Sequence, residues 1–155
     1  MSVRQFMESL NGSFMANAMN GPEWAFPVVQ SLHFAGFALL IGTIAIVDLR
    51  LLGFGMRRQS ASELASDLAP WTLVGLAMML ITGPLMFSAD ALIYYVNPSF
   101  RLKMEFLAIA IVYNFTIHRW ASKAGTPPAA GKLVAVFSLA LWTTVLACGR
   151  MIAFV

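Results

Sequence analysis

Four long apolar stretches, separated by short polar segments, dominate the chain: roughly 26–49, 68–87, 102–119 and 133–154. A helix needs about 20 mostly apolar residues to cross the hydrocarbon core of a bilayer. The third stretch is the shortest, its apolar part ending near 117. The connections cover 50–67, 88–101 and 118–132. The last carries Gly125-Thr126-Pro127-Pro128, which stops a helix and forms a turn. Links this short make consecutive helices antiparallel neighbours. The pattern therefore predicts an all-α fold, an integral membrane antiparallel four-helix bundle forming one domain over 1–155. No solenoid period is present, although two hairpins could be a pseudo-repeat. Ahead of the spans, 3–19 places Phe6, Met7, Leu10, Phe14 and Met15 at helical spacing. That predicts a short amphipathic helix on the membrane surface, weakened by Gly12 and the asparagines.

Composition supports the membrane assignment. The chain is 59% apolar and 11% charged, with a mean hydropathy of +0.76, too apolar for a soluble domain of this size. The net charge of +3 contains no basic run of the kind that binds nucleic acid. A single cysteine, Cys148, excludes an intrachain disulfide and a cysteine-based metal cluster. Residues 1–21 lack the basic-then-apolar order of a secretory signal. Charge also orients the spans. Arg50, Arg57, Arg58, Arg119, Lys123 and Lys132 fall at one end, and Arg4, Arg101, Lys103 and Arg150 at the other. Six basic residues against four place the first and third connections in the cytoplasm. The expected location is a bacterial inner membrane, multi-pass, with both termini outside the cytoplasm.

Against this apolar background the ionisable residues stand out. An ionisable group inside a span is a functional-site hypothesis by default. His33 lies about 10 Å below the outer end of the first helix. Lys103 and Glu105 open the third helix on the same side, and Arg150 lies near the outer end of the fourth. Polar groups converging in an apolar bundle are what a cofactor pocket requires. An imidazole can ligate iron through one nitrogen while the other takes a hydrogen-bond partner. A neutral lysine can supply a second ligand, and an arginine can pair with a porphyrin propionate. Gly36, one turn from His33, allows the close approach of a flat ring or of another helix.

Each of these residues also has a plainer reading. His33 could make a helix–helix hydrogen bond, Lys103 could snorkel to the headgroups, and Arg150 could anchor the interface. Glu105 could pair with Arg101 or Lys103. A haem held by both histidines is disfavoured, because His118 lies about 15 Å lower than His33. His118 reads instead as an interfacial cap. Asp48 and Arg50, two apart and not facing each other, read as an interfacial lock meeting the first or third connection, with proton relay as the lesser role. Gly83-Pro84 should kink the second helix beside the proposed pocket. The scattered methionines, Met78, Met79, Met86, Met104 and Met151 among them, read first as packing.

His33-x-x-Gly36, Gly42, Asp48-Leu49-Arg50-Leu51-Leu52-Gly53, Thr82-Gly83, Phe100-Arg101-Leu102-Lys103 and His118 carry a resemblance. The chain resembles a bacterial family of four-helix membrane proteins of unknown function. More distantly it is similar to HemJ-type protoporphyrinogen oxidases and to copper-resistance D membrane domains. The resemblance covers about 24–154. HemJ-type proteins have a histidine in the first helix and a lysine opening the third, and they bind haem b; His33 and Lys103 match those positions. Where that pattern closes the first helix with a proline-arginine pair, this chain has Asp48-Leu49-Arg50. The resemblance implies haem b as cofactor, with His33 as axial ligand and Lys103 as second ligand; Arg150 and Gly36 are candidates for the same site by their positions alone. The implied role is redox chemistry or electron transfer, extending to a HemJ-like oxidase. Two other classes stay open: a copper-handling or small-solute transport domain, and a structural subunit of a larger membrane complex. The expected partners are the lipid bilayer and either further copies of the chain or a larger assembly.

Overall fold

A computed structural model describes residues 2–55, 58–123 and 126–154. Arg57, one of the loop charges, and Gly125, one of the turn residues, lie outside them. The described residues form helices and connecting turns, with no strand. The helices are α1 (Val3–Asn11), α2 (Phe14–Asn20), α3 (Ala25–Leu52), α4 (Ala61–Ala89), α5 (Ala91–Val96), α6 (Pro98–Tyr113), α7 (Arg119–Ala121) and α8 (Pro128–Met151). A π turn, Asn114–His118, joins α6 to α7, and a 3₁₀ turn, Ile152–Phe154, follows α8.

Local chemistry sets the boundaries. Ser60 and Glu63 form a reciprocal capping box, so α4 starts at Ala61, well before its apolar run. Asn97 caps α6, whose first residue is Pro98, where a missing amide is harmless. α8 likewise opens on Pro128. Gly53 ends α3 in the left-handed conformation, at φ 93°.

Among the described residues three helices are long and apolar enough to cross a membrane: Ala25–Leu52, Ala61–Ala89 and Pro128–Phe154. Their best windows have mean hydropathies of 2.0, 1.7 and 1.7. The expected third span differs. No uninterrupted α-helix covers 102–119, because the π turn breaks it where Asn114, Thr116 and His118 interrupt the apolar pattern. The Thr116 hydroxyl donates to the Val112 carbonyl at 2.6 Å, competing for a ladder acceptor beside the widened turn. Two expectations outside the spans are corrected. The connection 88–101 is largely helical, as α5 and the start of α6. The single surface helix over 3–19 is two helices, because Ser13 caps a new one after Gly12.

α3 packs along α4 on one side and α8 on the other, and α6 packs on α8. Neighbours run antiparallel: Gly36 meets Gly75 and Met78, Leu51 lies against the Gly131 position, and Lys103 lies over Gly149. The core is Leu40, Ile44, Met79, Ala110, Leu141, Trp142 and Val145. α2 buries Ala16 and Met19 and packs on α3 and α4, while α1 packs on α5. Asn11 Oδ1 accepts from the Ala91 amide at 2.7 Å. The Asn20 side chain donates to the Ala89 carbonyl at 2.9 Å. These bonds tie the N-terminal helices to the end of α4 where His33 lies.

Candidate functional site

The closest helix crossing positions the first cluster. A Cβ on Gly75 would come within 2.7 Å of the Gly36 carbonyl oxygen and the Leu40 amide nitrogen. A Cβ on Gly36 would come within 2.7 Å of Met78 Cβ. Both glycines let α3 and α4 touch backbone to backbone. The face of Gly36 is therefore filled by α4.

One turn from Gly36 along α3, buried His33 meets buried Thr82 of α4, Nδ1 to Oγ1 at 2.8 Å. The Thr82 hydroxyl donates to the Met78 carbonyl at 2.6 Å. A hydroxyl has one proton, so Thr82 accepts from His33 and Nδ1 carries the hydrogen. Nε2 then presents a lone pair. Among the described residues Nε2 has no hydrogen-bond partner. Among the described residues no fully buried side-chain nitrogen or oxygen is unpartnered, so Nε2 keeps accessible surface. The Gly83 position lies 3.6 Å from His33 Cε1, leaving space beside the ring.

Lys103 is half-buried on α6, and its stem and Nζ lie 3.5–3.6 Å from the Gly149 position. Among the described residues it makes no hydrogen bond or ion pair. Arg150 is exposed at the same end, its guanidinium 4.9 Å from the Phe154 ring centroid. Glu105 is exposed and pairs with neither Arg101 nor Lys103. Phe87, Tyr94 and Phe100 form an aromatic trio joining α4, α5 and α6 just beyond this level, with centroids 5.4–6.1 Å apart.

A second cluster lies at the other end of α3. His118 Nε2 is 2.7 Å from Asp48 Oδ1. The Ser138 hydroxyl donates to Asp48 Oδ2, also at 2.7 Å. Asp48 and Ser138 are 0% exposed and His118 is 5% exposed. The reading of His118 as an interfacial cap is thus corrected: it is interior and paired, because the π turn aims it at α3. Asp48 does meet the third connection, through His118, while Arg50 Nε donates to the Gln59 carbonyl of the first at 2.7 Å. Fifteen residues of α3, about 22 Å, separate Asp48 from His33, so the two histidines cannot share one metal.

The sequence reading brought forward His33, Lys103 and Arg150, and all three lie toward the same end. Thr82 was visible only as a motif residue, and Ser138, Gly75 and Gly149 carried no signal by themselves. A polar residue inside an apolar helix, at the depth of another buried polar group, would have marked Thr82 and Ser138. Among the described residues no three or more His, Cys, Asp or Glu side chains converge as a metal-binding group. No curated protein and no solved structure matches the chain. A family model does match residues 6–155, and the chain belongs to that family, the family of unknown function DUF6644.

Proposed function

We propose that this chain is a four-helix integral membrane protein that binds haem b, with His33 as an axial ligand and a role in electron transfer or redox chemistry. On this reading α6, the π turn and α7 together form the fourth crossing. The first and third connections face the cytoplasm of a bacterial inner membrane. The observation that carries the reading is the state of His33. Thr82 holds Nδ1–H, which fixes the ring and leaves Nε2 as an accessible lone pair, the arrangement that ligating histidines adopt.

The other residues fit the same group. Lys103, half-buried and unpaired, stands as second ligand. Arg150, at the same end, is the partner for a propionate. Gly83 leaves space beside the imidazole, whereas Gly36 serves the contact with α4. When bound, haem supplies a one-electron couple. The protein binds it, fixes the imidazole tautomer and surrounds it with apolar helices. The resemblance to HemJ-type proteins extends the reading to oxidation of a hydrophobic porphyrinogen.

The donor set favours haem over a bare copper ion. A porphyrin brings four nitrogens and asks one or two ligands of the protein, whereas a bare ion asks for a cluster. A second reading is favoured by one observation: the His33–Thr82 bond already suffices as a helix–helix link. On that reading the chain is a structural subunit.

The deciding experiment is the reduced-minus-oxidised spectrum of the detergent-purified protein with a pyridine haemochrome assay. Haem b near one per chain, lost in His33→Ala and kept in His118→Ala, is expected. A colourless protein after haem supplementation, co-purifying with fixed larger subunits, would establish the structural role instead.

A further inference from the structure

Apolar surface is exposed at the His33 end where no span accounts for it. α1, α2 and α5 stand outside the three long apolar helices. Yet they, together with Trp24 at the N-cap of α3, expose Phe6, Phe14, Met15, Trp24, Ile93 and Val96. Phe14 is 86% exposed, Val96 71% and Trp24 67%. Single exposed apolar residues are ordinary on any protein, but a group of large ones on adjoining elements marks a surface that meets a membrane or a partner.

Each element divides its faces between the bundle and this surface. On α1, Val3, Phe6, Met7 and Leu10 share one side at helical spacing, and Arg4, Gln5, Glu8 and Ser9 share the other. α1 packs on α5; Met7 and Leu10 are half-buried, whereas Val3 and Phe6 stay exposed. α2 buries Ala16 and Met19. Phe14, two residues and so about 200° of helix before Ala16, points away from the bundle. α5 turns Tyr94 into the aromatic trio, while Ile93 and Val96 are exposed. The Asn11–Ala91 and Asn20–Ala89 bonds hold the three helices together at the end of α4, so the apolar residues sit on one fixed platform.

Continuity and charge favour lipid as what covers it. Trp24 leads straight into α3, whose exposed Val28, Leu32 and Phe34 follow. Val96 precedes Asn97, the cap of α6, and exposed Leu102 follows. The platform thus continues the apolar faces that the long helices turn outward. A tryptophan at the end of a span is the residue type that settles at the lipid–water boundary. Arg4 is the one basic residue of α1, α2 and α5, and it is bonded to Glu8 at 3.2 Å. The attraction is therefore apolar insertion, the mode of a helix lying in the interface, and not a pull toward anionic headgroups.

We propose that α1, α2 and α5 form one collar embedded in the lipid surface, which seats the His33 end of the bundle at the boundary of its leaflet. The proposal rests on the membrane reading of the long helices and not on haem. The test uses the full chain with Cys148→Ala and one added cysteine: Phe14→Cys, Val96→Cys, Glu8→Cys or Ile81→Cys. Each variant is spin-labelled and reconstituted in phosphatidylcholine vesicles. Oxygen, which concentrates in lipid, and a water-soluble nickel chelate report the surroundings of each label. Labels at positions 14 and 96 should be relaxed more by oxygen than by nickel, as at position 81 within α4, and the label at position 8 should show the reverse. Adding phosphatidylglycerol should leave this pattern unchanged. Nickel access at position 14 or 96 equal to that at position 8 overturns the proposal. Shielding from both reagents overturns it too, because a second copy of the chain would then be the cover. So does an oxygen preference that appears only with phosphatidylglycerol. A label at position 81 open to nickel overturns the membrane reading, and the proposal with it.

Discussion

The two ends of α3 solve the problem of a buried imidazole in opposite ways. At one end His33 is held by a neutral hydroxyl that has already donated its own hydrogen to the Met78 carbonyl. At the other, His118 is held by a carboxylate that a serine also grips. The first arrangement leaves a neutral ring with an open lone pair, suited to a ligand. The second leaves a ring locked against a buried acid and a serine, suited to joining three segments of the chain. Residue type is the same, so the partner decides the chemistry.

The sharpest way to break this comparison is to remove one imidazole at a time. His118→Leu strands the buried Asp48 charge and should destabilise the protein by about 3–5 kcal/mol. Replacing both partners, Asp48→Leu with His118→Leu, should recover most of that loss. His33→Leu strands no charge and, without cofactor, should cost only about 1 kcal/mol. Unfolding in mixed detergent measures all three. Equal losses at both ends would erase the distinction.

The next largest effect lies in the helix contact that sets the His33 end. Gly75→Ala places a Cβ against the backbone of Gly36 and Leu40 and should cost about 1–3 kcal/mol. Gly42→Ala meets nothing within 4 Å and should stay within about 0.5 kcal/mol of wild type. The same unfolding assay compares them.

Thr82→Val tests the partner rule directly. With haem b bound as proposed, it should weaken haem retention about 10–100-fold, while Ser138→Ala should leave that retention unchanged. Haem titration followed by absorbance distinguishes the two. The smallest effect is expected at Gly83→Ala, whose new methyl group makes only an ordinary contact of 3.6 Å with His33 Cε1. Its stability should change by less than about 0.5 kcal/mol.

The long helices were legible because apolar runs report burial or lipid contact directly. Their true starts were set by capping chemistry: Ser60 with Glu63, Asn97 before Pro98, and Pro128 extend α4, α6 and α8 beyond their apolar runs. The His33 end was partly legible, since a histidine in an apolar helix is conspicuous alone. The far-end cluster was not. Asp48 lies 70 residues from His118 and 90 from Ser138 in the chain. A serine in an apolar helix is unremarkable until the packing gives it a partner. Hydropathy also cannot reveal a π turn, because the turn changes the phase of a helix and not its composition.

That change of phase has a consequence for chain length. Each residue of an α-helix rotates the next by about 100°, and a π turn accommodates one extra residue within the helix. Deleting a single residue between Ala110 and His118 would remove that extra residue, so the helix would become regular while His118 stayed close to its present face, toward Asp48. Deleting two would leave nothing to absorb the second and would swing His118 by about 100° away from Asp48. The spacing of this segment therefore tolerates one missing residue and not two.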